Sequence, residues 1–256
     1  MDKDKLKNII TRIGQINPKY ELENIVPQVP QLIQFMDNPS EDVQLVIVEK
    51  NIWEILTIIK VGITPSERVQ LAAVNRNGSL IKYIIEAGIT PSEDVQLAAV
   101  NRDGSLIFDI LKAGIIPSER VQMVAVSSTY LDVHPSQRVL WVSLHIYTHK
   151  IPIDYIINAG ITLSERVQLA AVNQNGWTIR HIIKAGIIPS EDVQLAAVNR
   201  DGWAIFYIID EGIIPSEDVQ LAAVNEDGFN IHRIINAGIT PSERVKELAR
   251  SKGINI

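Results

Sequence analysis

The stretch Val69-Gln70-Leu71-Ala72-Ala73-Val74-Asn75 decides the fold, because it returns verbatim from Val95, Val167, Val193 and Val219. Each copy is preceded by Ser-Glu-(Arg/Asp) and leads, after one variable residue, into (Asn/Asp)-Gly, as in Asn75-Arg76-Asn77-Gly78. Prolines at 39, 65, 91 and 117, and again at 189, 215 and 241, stand 26 residues apart, and Leu163 takes the slot 26 before Pro189. A period between 20 and 50 residues marks a solenoid, propeller or array. Nothing alternates with period two for long enough to suggest a sheet, so the expected fold is all-α: an α-solenoid of about eight 26-residue helix-turn-helix repeats.

Within the unit, the spacing predicts a first helix over about Pro65–Asn75 and a second over about Ser79–Ala87. Thr64-Pro65-Ser66-Glu67 reads as a capping box with proline at the first helical position. Where Ile116, Ile188 or Ile214 replaces the threonine, the serine after proline is the alternative cap. The Asn-x-(Asn/Asp)-Gly tetrad ends the helix, since Asn and Gly tolerate a left-handed backbone. Ile81, Ile84 and Ile85 form one apolar stripe on the second helix, and Gly88 stops it. The first helix is apolar nearly all round, as expected of a helix sandwiched between repeats.

The expected organisation is one continuous solenoid: a capping segment over 1–38, regular repeats over 39–116, irregular repeats over 117–162, regular repeats over 163–240 and a polar cap over 241–256. The irregular part has Pro135 only 18 residues after Pro117, and carries His145-Ile146-Tyr147-Thr148-His149 in place of the glycine turn. It reads either as a binding insertion or as neutral drift within the array. Leu6, Ile9, Ile10 and Ile13 suggest an amphipathic helix near the start. At the other end Val245-Lys246-Glu247-Leu248-Ala249-Arg250 replaces apolar positions by polar ones, as a terminal repeat requires.

Composition narrows the function. The net charge of −6 disfavours bulk attraction to nucleic acid or anionic membrane. Mean hydropathy is +0.10, yet no run approaches the roughly 18 apolar residues of a membrane span. With no cysteine, disulfides, thiol catalysis and Cys-ligated metal are excluded. The expectation is a cytoplasmic protein with no cofactor, no metal and no enzymatic activity. His145 and His149 share a helical spacing but lack the Glu of a zinc protease motif and a third ligand. The turn at Asn225–Gly228 cannot be a calcium loop, because Ala223 and Ile234 fall where carboxylates are needed.

The Val-x-Leu-Ala-Ala-Val unit with its (Asn/Asp)-Gly turn, over roughly residues 39–250, resembles short helical repeats in uncharacterised bacterial, phage and giant-virus proteins, grouped as a domain of unknown function. The resemblance implies an α-solenoid and makes a phage-encoded antagonist of a host protein a natural expectation. The start Thr64-Pro65, the Val69-x-x-x-Ala73 helix and the Asn-containing turn are more weakly similar to transcription activator-like effector repeats. Those effectors place Gly-Gly-Lys-Gln after the base-reading pair, with the lysine serving the phosphate. Here the turn glycine is followed by Ser79, Ser105, Trp177, Trp203 or Phe229, so nucleic-acid reading is not the expected function.

Repetition within one chain separates scaffold from variation. With the turn glycine as zero, positions +3, +6 and +7 are fixed as Ile or Leu, whereas +1, +4, +5 and +8 vary. The variable positions supply the candidate binding residues: Tyr83 and Lys82 early, then Trp177, Arg180, His181, Trp203, Phe206, Tyr207, Phe229, His232 and Arg233, with His145, Tyr147 and His149 from the irregular segment. Trp, Tyr and Arg are the residues that anchor interfaces. The rings at +1 read either as inter-repeat filler or as an exposed row. Gln70 and its copies, and Asn75 and its copies, read either as ligand-binding amides or, more simply, as repeat-to-repeat hydrogen-bond ladders. Three functions follow as expectations: a protein-binding scaffold first, then a protein that sequesters a nucleotide or other small molecule, and last a nucleic-acid reader.

Overall fold

The computed structural model describes residues 39–128 and 151–256. The expectations placed on 1–38 and on most of the irregular segment, Pro135 included, lie outside the described residues. Among the described residues the chain forms fifteen α-helices, two short 3-10 turns and no strand. Chain contacts divide it into two compact units, Met1–Val121 and Gln122–Ile256.

In the first unit the helices are α1 (Glu41–Lys50), α2 (Glu54–Lys60), α3 (Glu67–Val74), α4 (Leu80–Glu86), α5 (Glu93–Arg102) and α6 (Ile107–Lys112). The division between units falls inside α7 (Glu119–Ser127). The second unit continues with α8 (Pro152–Asn158), α9 (Glu165–Gln174), α10 (Ile179–Lys184), α11 (Glu191–Arg200), α12 (Ala204–Asp210), α13 (Glu217–Glu226), α14 (Asn230–Asn236) and α15 (Glu243–Ser251). First helices pack on first helices: α1 on α3 on α5, and α9 on α11 on α13 on α15. Second helices pack likewise, α4 on α6 and α10 on α12 on α14. Each unit is therefore two layers of stacked helices, the arrangement of a helical-repeat solenoid.

Each first helix begins two residues later than the sequence suggests, because serine and not threonine is the N-cap. The Ser66 hydroxyl accepts from the Val69 amide, and Ser40, Ser92, Ser164, Ser190, Ser216 and Ser242 repeat the cap. Ser66 is extended at φ −62°, ψ 162°, as an N-cap requires, and Ser164 adopts the same backbone at φ −65°, ψ 157° although Leu163 stands before it in place of proline. The same hydroxyl also donates to the glutamate of the preceding repeat: Ser66 to Glu41 and Ser92 to Glu67 at 2.5 Å, Ser118 to Glu93 at 2.6 Å, Ser216 to Glu191 at 2.5 Å, Ser242 to Glu217 at 2.7 Å, and Ser190 to Glu165. One small residue thus caps its own helix and ties its repeat to the one before.

The recurring glutamine corrects another expectation. Its bond stays within the repeat: the Gln70 Nε2 donates to the Pro65 carbonyl at 2.9 Å, and Gln44, Gln96, Gln168, Gln194 and Gln220 do the same to the residue five before. The amide pins the entry loop beneath the helix. The amide is only half satisfied, since the Oε1 atoms of Gln44, Gln70, Gln96, Gln168 and Gln220 are buried without a hydrogen-bond partner among the described residues.

The turn glycine is required for close approach, not for a left-handed turn. Positive φ belongs to the glycines that end the second helices, such as Gly88 and Gly186, and to Gly253 after α15, while the turn glycines are absent from that set and Asn75 is right-handed at φ −60°. A Cβ on Gly176 would stand 2.5 Å from the Ala197 carbonyl oxygen of the next repeat. The side chain before the glycine does the turning: the Asn77, Asp103, Asn175, Asp201 and Asp227 carboxamides or carboxylates accept from the amide two residues on.

Val69, Ala73, Val74, Ile81 and Ile84, and their equivalents throughout, are buried. Each fully buried Val or Ile is worth about 1.5–3 kcal/mol. In α15 the pattern thins to Val245 and Ala249, with Glu247 and Arg250 facing solvent. Gly176→Ala should lower stability by about 1–3 kcal/mol in urea unfolding, since backbone of the neighbouring repeat has to shift. Ser216→Ala should cost about 1 kcal/mol by the same measurement.

Candidate functional site

The candidate site is the outer side of the second helices. The register is set by the inward residues: Ile179 and Ile182 in α10, Ile205 and Ile208 in α12, and Ile231 and Ile234 in α14 are wholly buried. Residues +1, +4, +5 and +8 then point outward by helical geometry.

In the second unit the rings at +1 are exposed. Trp177 is 38%, Trp203 53% and Phe229 64% accessible, so they are not core filler. Trp177 and Trp203 each meet the +5 residue of the next repeat. The Trp177 and Tyr207 rings lie edge to face at 6.0 Å, and the Arg233 guanidinium lies over the Trp203 ring at 3.3 Å from its centroid. The same rule holds in the first unit, where Trp53 meets Tyr83 edge to face at 6.4 Å. Phe206 at +4 is exposed and packs edge to face on Tyr207 at 5.5 Å, with Arg233 6.0 Å from its ring. Arg180 stands over Tyr207 at 5.5 Å, and His232 lies beside Phe229 at 6.2 Å.

The electrostatics of this face are unusual for an acidic protein. Among the described residues neither Arg180 nor Arg233 has an ion pair or a hydrogen-bond acceptor, and the Arg233 Nη1 is covered and unpaired. Both guanidinium groups are held by rings, through cation–π contact. His181 differs: its Nδ1 lies 2.6 Å from the Asp154 Oδ1. Cations on the first-helix side do find acids, as Arg68 does with Glu41 and Asp42 and Arg120 with Asp94. Those exposed pairs are worth only about 0–1 kcal/mol each.

Lys82 and Tyr83 sit on the matching face of the first unit, where Lys82 pairs with Glu86 at 3.9 Å. His145, Tyr147 and His149 lie outside the described residues. Sequence reading missed Trp53 and Asp154. Trp53 is 26 residues before Ser79, and Asp154 is 26 before Arg180, so the repeat register reaches both. They were obscured because their repeats lack the glycine turn that served as the alignment mark.

The recurring asparagines also depart from expectation. Asn75, Asn101, Asn173, Asn199 and Asn225 are exposed, and among the described residues their side chains make no hydrogen bond. They form no structural ladder. Ile116, Ile188 and Ile214 are exposed as well, at 78%, 79% and 76%, on the loops that leave the second helices. Among the described residues no three His, Asp or Glu side chains gather as metal ligands, and no helix is long and apolar enough to cross a membrane.

Compared with known proteins, the chain matches no family model and no curated protein sequence.

One carboxylate on this face is perturbed. Partial burial pushes Asp109, at +5 of the first unit, above its ordinary 3.8, while Lys82 and Lys112 pull the other way. A raised carboxylate carries no penalty while protonated in both states and weakens the fold once the unfolded chain has ionised. Asp109→Asn should therefore raise the Tm slightly at pH 7, with the gain closing as the pH falls below about 3.8.

Proposed function

We propose that the protein is a non-enzymatic binding scaffold that recognises a protein partner through the outer face of its second helices, centred on α10, α12 and α14. The observation that carries this reading is the row Trp177, Trp203 and Phe229, exposed and interleaved with two ring-held arginines that have no ion pair among the described residues. Exposed aromatics cost hydration that the fold does not recover, and Trp, Tyr and Arg dominate binding energy where they are desolvated by a partner. Stacking holds the arginines in place before binding, which lowers the ordering cost on association. The resemblance of the repeats to phage and bacterial proteins extends the proposal to antagonism of a host protein.

A second reading, sequestration of a nucleotide, rests on the same Arg233–Trp203 stack, since a guanidinium beside a ring suits a phosphate joined to a base. It predicts a rise in Tm with one member of a nucleotide panel.

Replacing Trp203 and Tyr207 together by alanine should leave the helical circular dichroism signal intact. Capture of a partner from host-cell extract, identified by mass spectrometry, should fall by about tenfold or more. Undiminished capture by the double variant would overturn the proposal, and loss of helicity would place the two rings in the core.

A further inference from the structure

Four residues before each ring of the second unit stands an exposed asparagine: Asn173 before Trp177, Asn199 before Trp203 and Asn225 before Phe229. The residue that follows each asparagine varies, Gln174, Arg200 and Glu226, yet the asparagine does not. Its side chain is exposed and makes no hydrogen bond among the described residues, which leaves the carboxamide open to a ligand. A free carboxamide offers a donor and an acceptor side by side, the pattern that pairs with a peptide group. The edge of the unit therefore presents, once per repeat, one amide and one ring.

The spacing of that presentation selects a ligand conformation. Packed helices lie about 8–10 Å apart. A polyproline II chain returns to the same phase every three residues, after about 9.3 Å, and leaves its backbone carbonyls unpaired. A β-strand returns after about 6.7 Å and falls out of register by the second repeat. An α-helix spends its carbonyls internally and leaves the asparagines nothing to bind. The charge is selected too, because among the described residues Arg180 and Arg233 have no acidic partner.

We infer that the second unit takes an extended polyproline II segment bearing carboxylates, with one proline-containing triplet per repeat. The asparagines pair with its backbone, the rings at +1 receive its proline faces, and Arg233 and Arg180 receive its carboxylates. This rests on the binding face proposed above and names its ligand class. Proline suits the site because its ring packs on an aromatic surface and its fixed φ removes part of the ordering cost.

The test is calorimetric titration of the full chain with three synthetic peptides: four Pro-Glu-Ala triplets, four Pro-Lys-Ala triplets, and four Ala-Glu-Ala triplets. The inference expects the Pro-Glu-Ala peptide to bind at least about tenfold more tightly than either control. Asn199→Ala and Arg233→Ala, each checked for unchanged circular dichroism, should weaken it by a similar factor. Equal binding of the lysine peptide removes the charge argument, and equal binding of the proline-free peptide removes the conformational one; either overturns the inference. So does the absence of Pro-Glu-Ala binding at about 1 mM. In that last case, if the Trp203 and Tyr207 double variant still loses its captured partner, the face stands and the ligand class falls. If the variant captures normally, both fall.

Discussion

The distance at which one repeat can approach the next governs the whole arrangement. At Gly176 that distance leaves no room for a side-chain carbon beneath the Ala197 carbonyl, and at Gly78 and Gly202 the neighbouring repeat is nearly as close. Alanines at the equivalent of Ala73 keep the first helices close on the other side. Close packing matters because dispersion falls away within a fraction of an ångström and an interface this small has little else to draw on. Each repeat buries only a handful of Val, Ala and Ile side chains, so none is stable by itself.

That approach fixes what happens at the surface. A serine hydroxyl reaches the preceding glutamate only if successive first helices are this near, and the link then recurs from Ser66 to Ser242. Arg76 and Arg102 use the same proximity to reach the Glu49 and Arg76 carbonyls of the repeat before. On the opposite layer the spacing brings residue +5 onto ring +1 of the preceding repeat. The Trp53–Tyr83, Trp177–Tyr207 and Trp203–Arg233 pairs are three instances of one geometric rule. The exposed face is thus ordered by the scaffold, although none of its residues contributes to the core.

Much of this was legible beforehand. The period and the helical class follow from recurrence alone, and Ile81 and Ile84 of the apolar stripe are buried as expected, whereas Ile85 is half-buried and its copy Ile235 is exposed. The errors have a common origin. By sequence, threonine suits the cap, glutamine a link between repeats, and the turn glycine a left-handed backbone, and the structure assigns each differently. In each case the residue type is compatible with both roles, and the choice depends on what lies opposite it in space. Asn75 shows the converse: a residue that looked structural by its recurrence is left without a structural bond.

The sequence by itself determined the repeat unit and which side of each helix is apolar, because a 26-residue recurrence and a helical stripe are properties of order along the chain. It also determined where the second helices stop, since a glycine stands just past the end of each described one, as Gly88 and Gly186 do. Only the tertiary structure decided that the rings at +1 are exposed, that Arg180 and Arg233 rest on rings and not on acids, and that serine joins the repeats. Those facts depend on the lateral offset between neighbouring helices. That offset is set by the packing of small side chains against backbone, a distance that no pattern of residue types along one helix specifies.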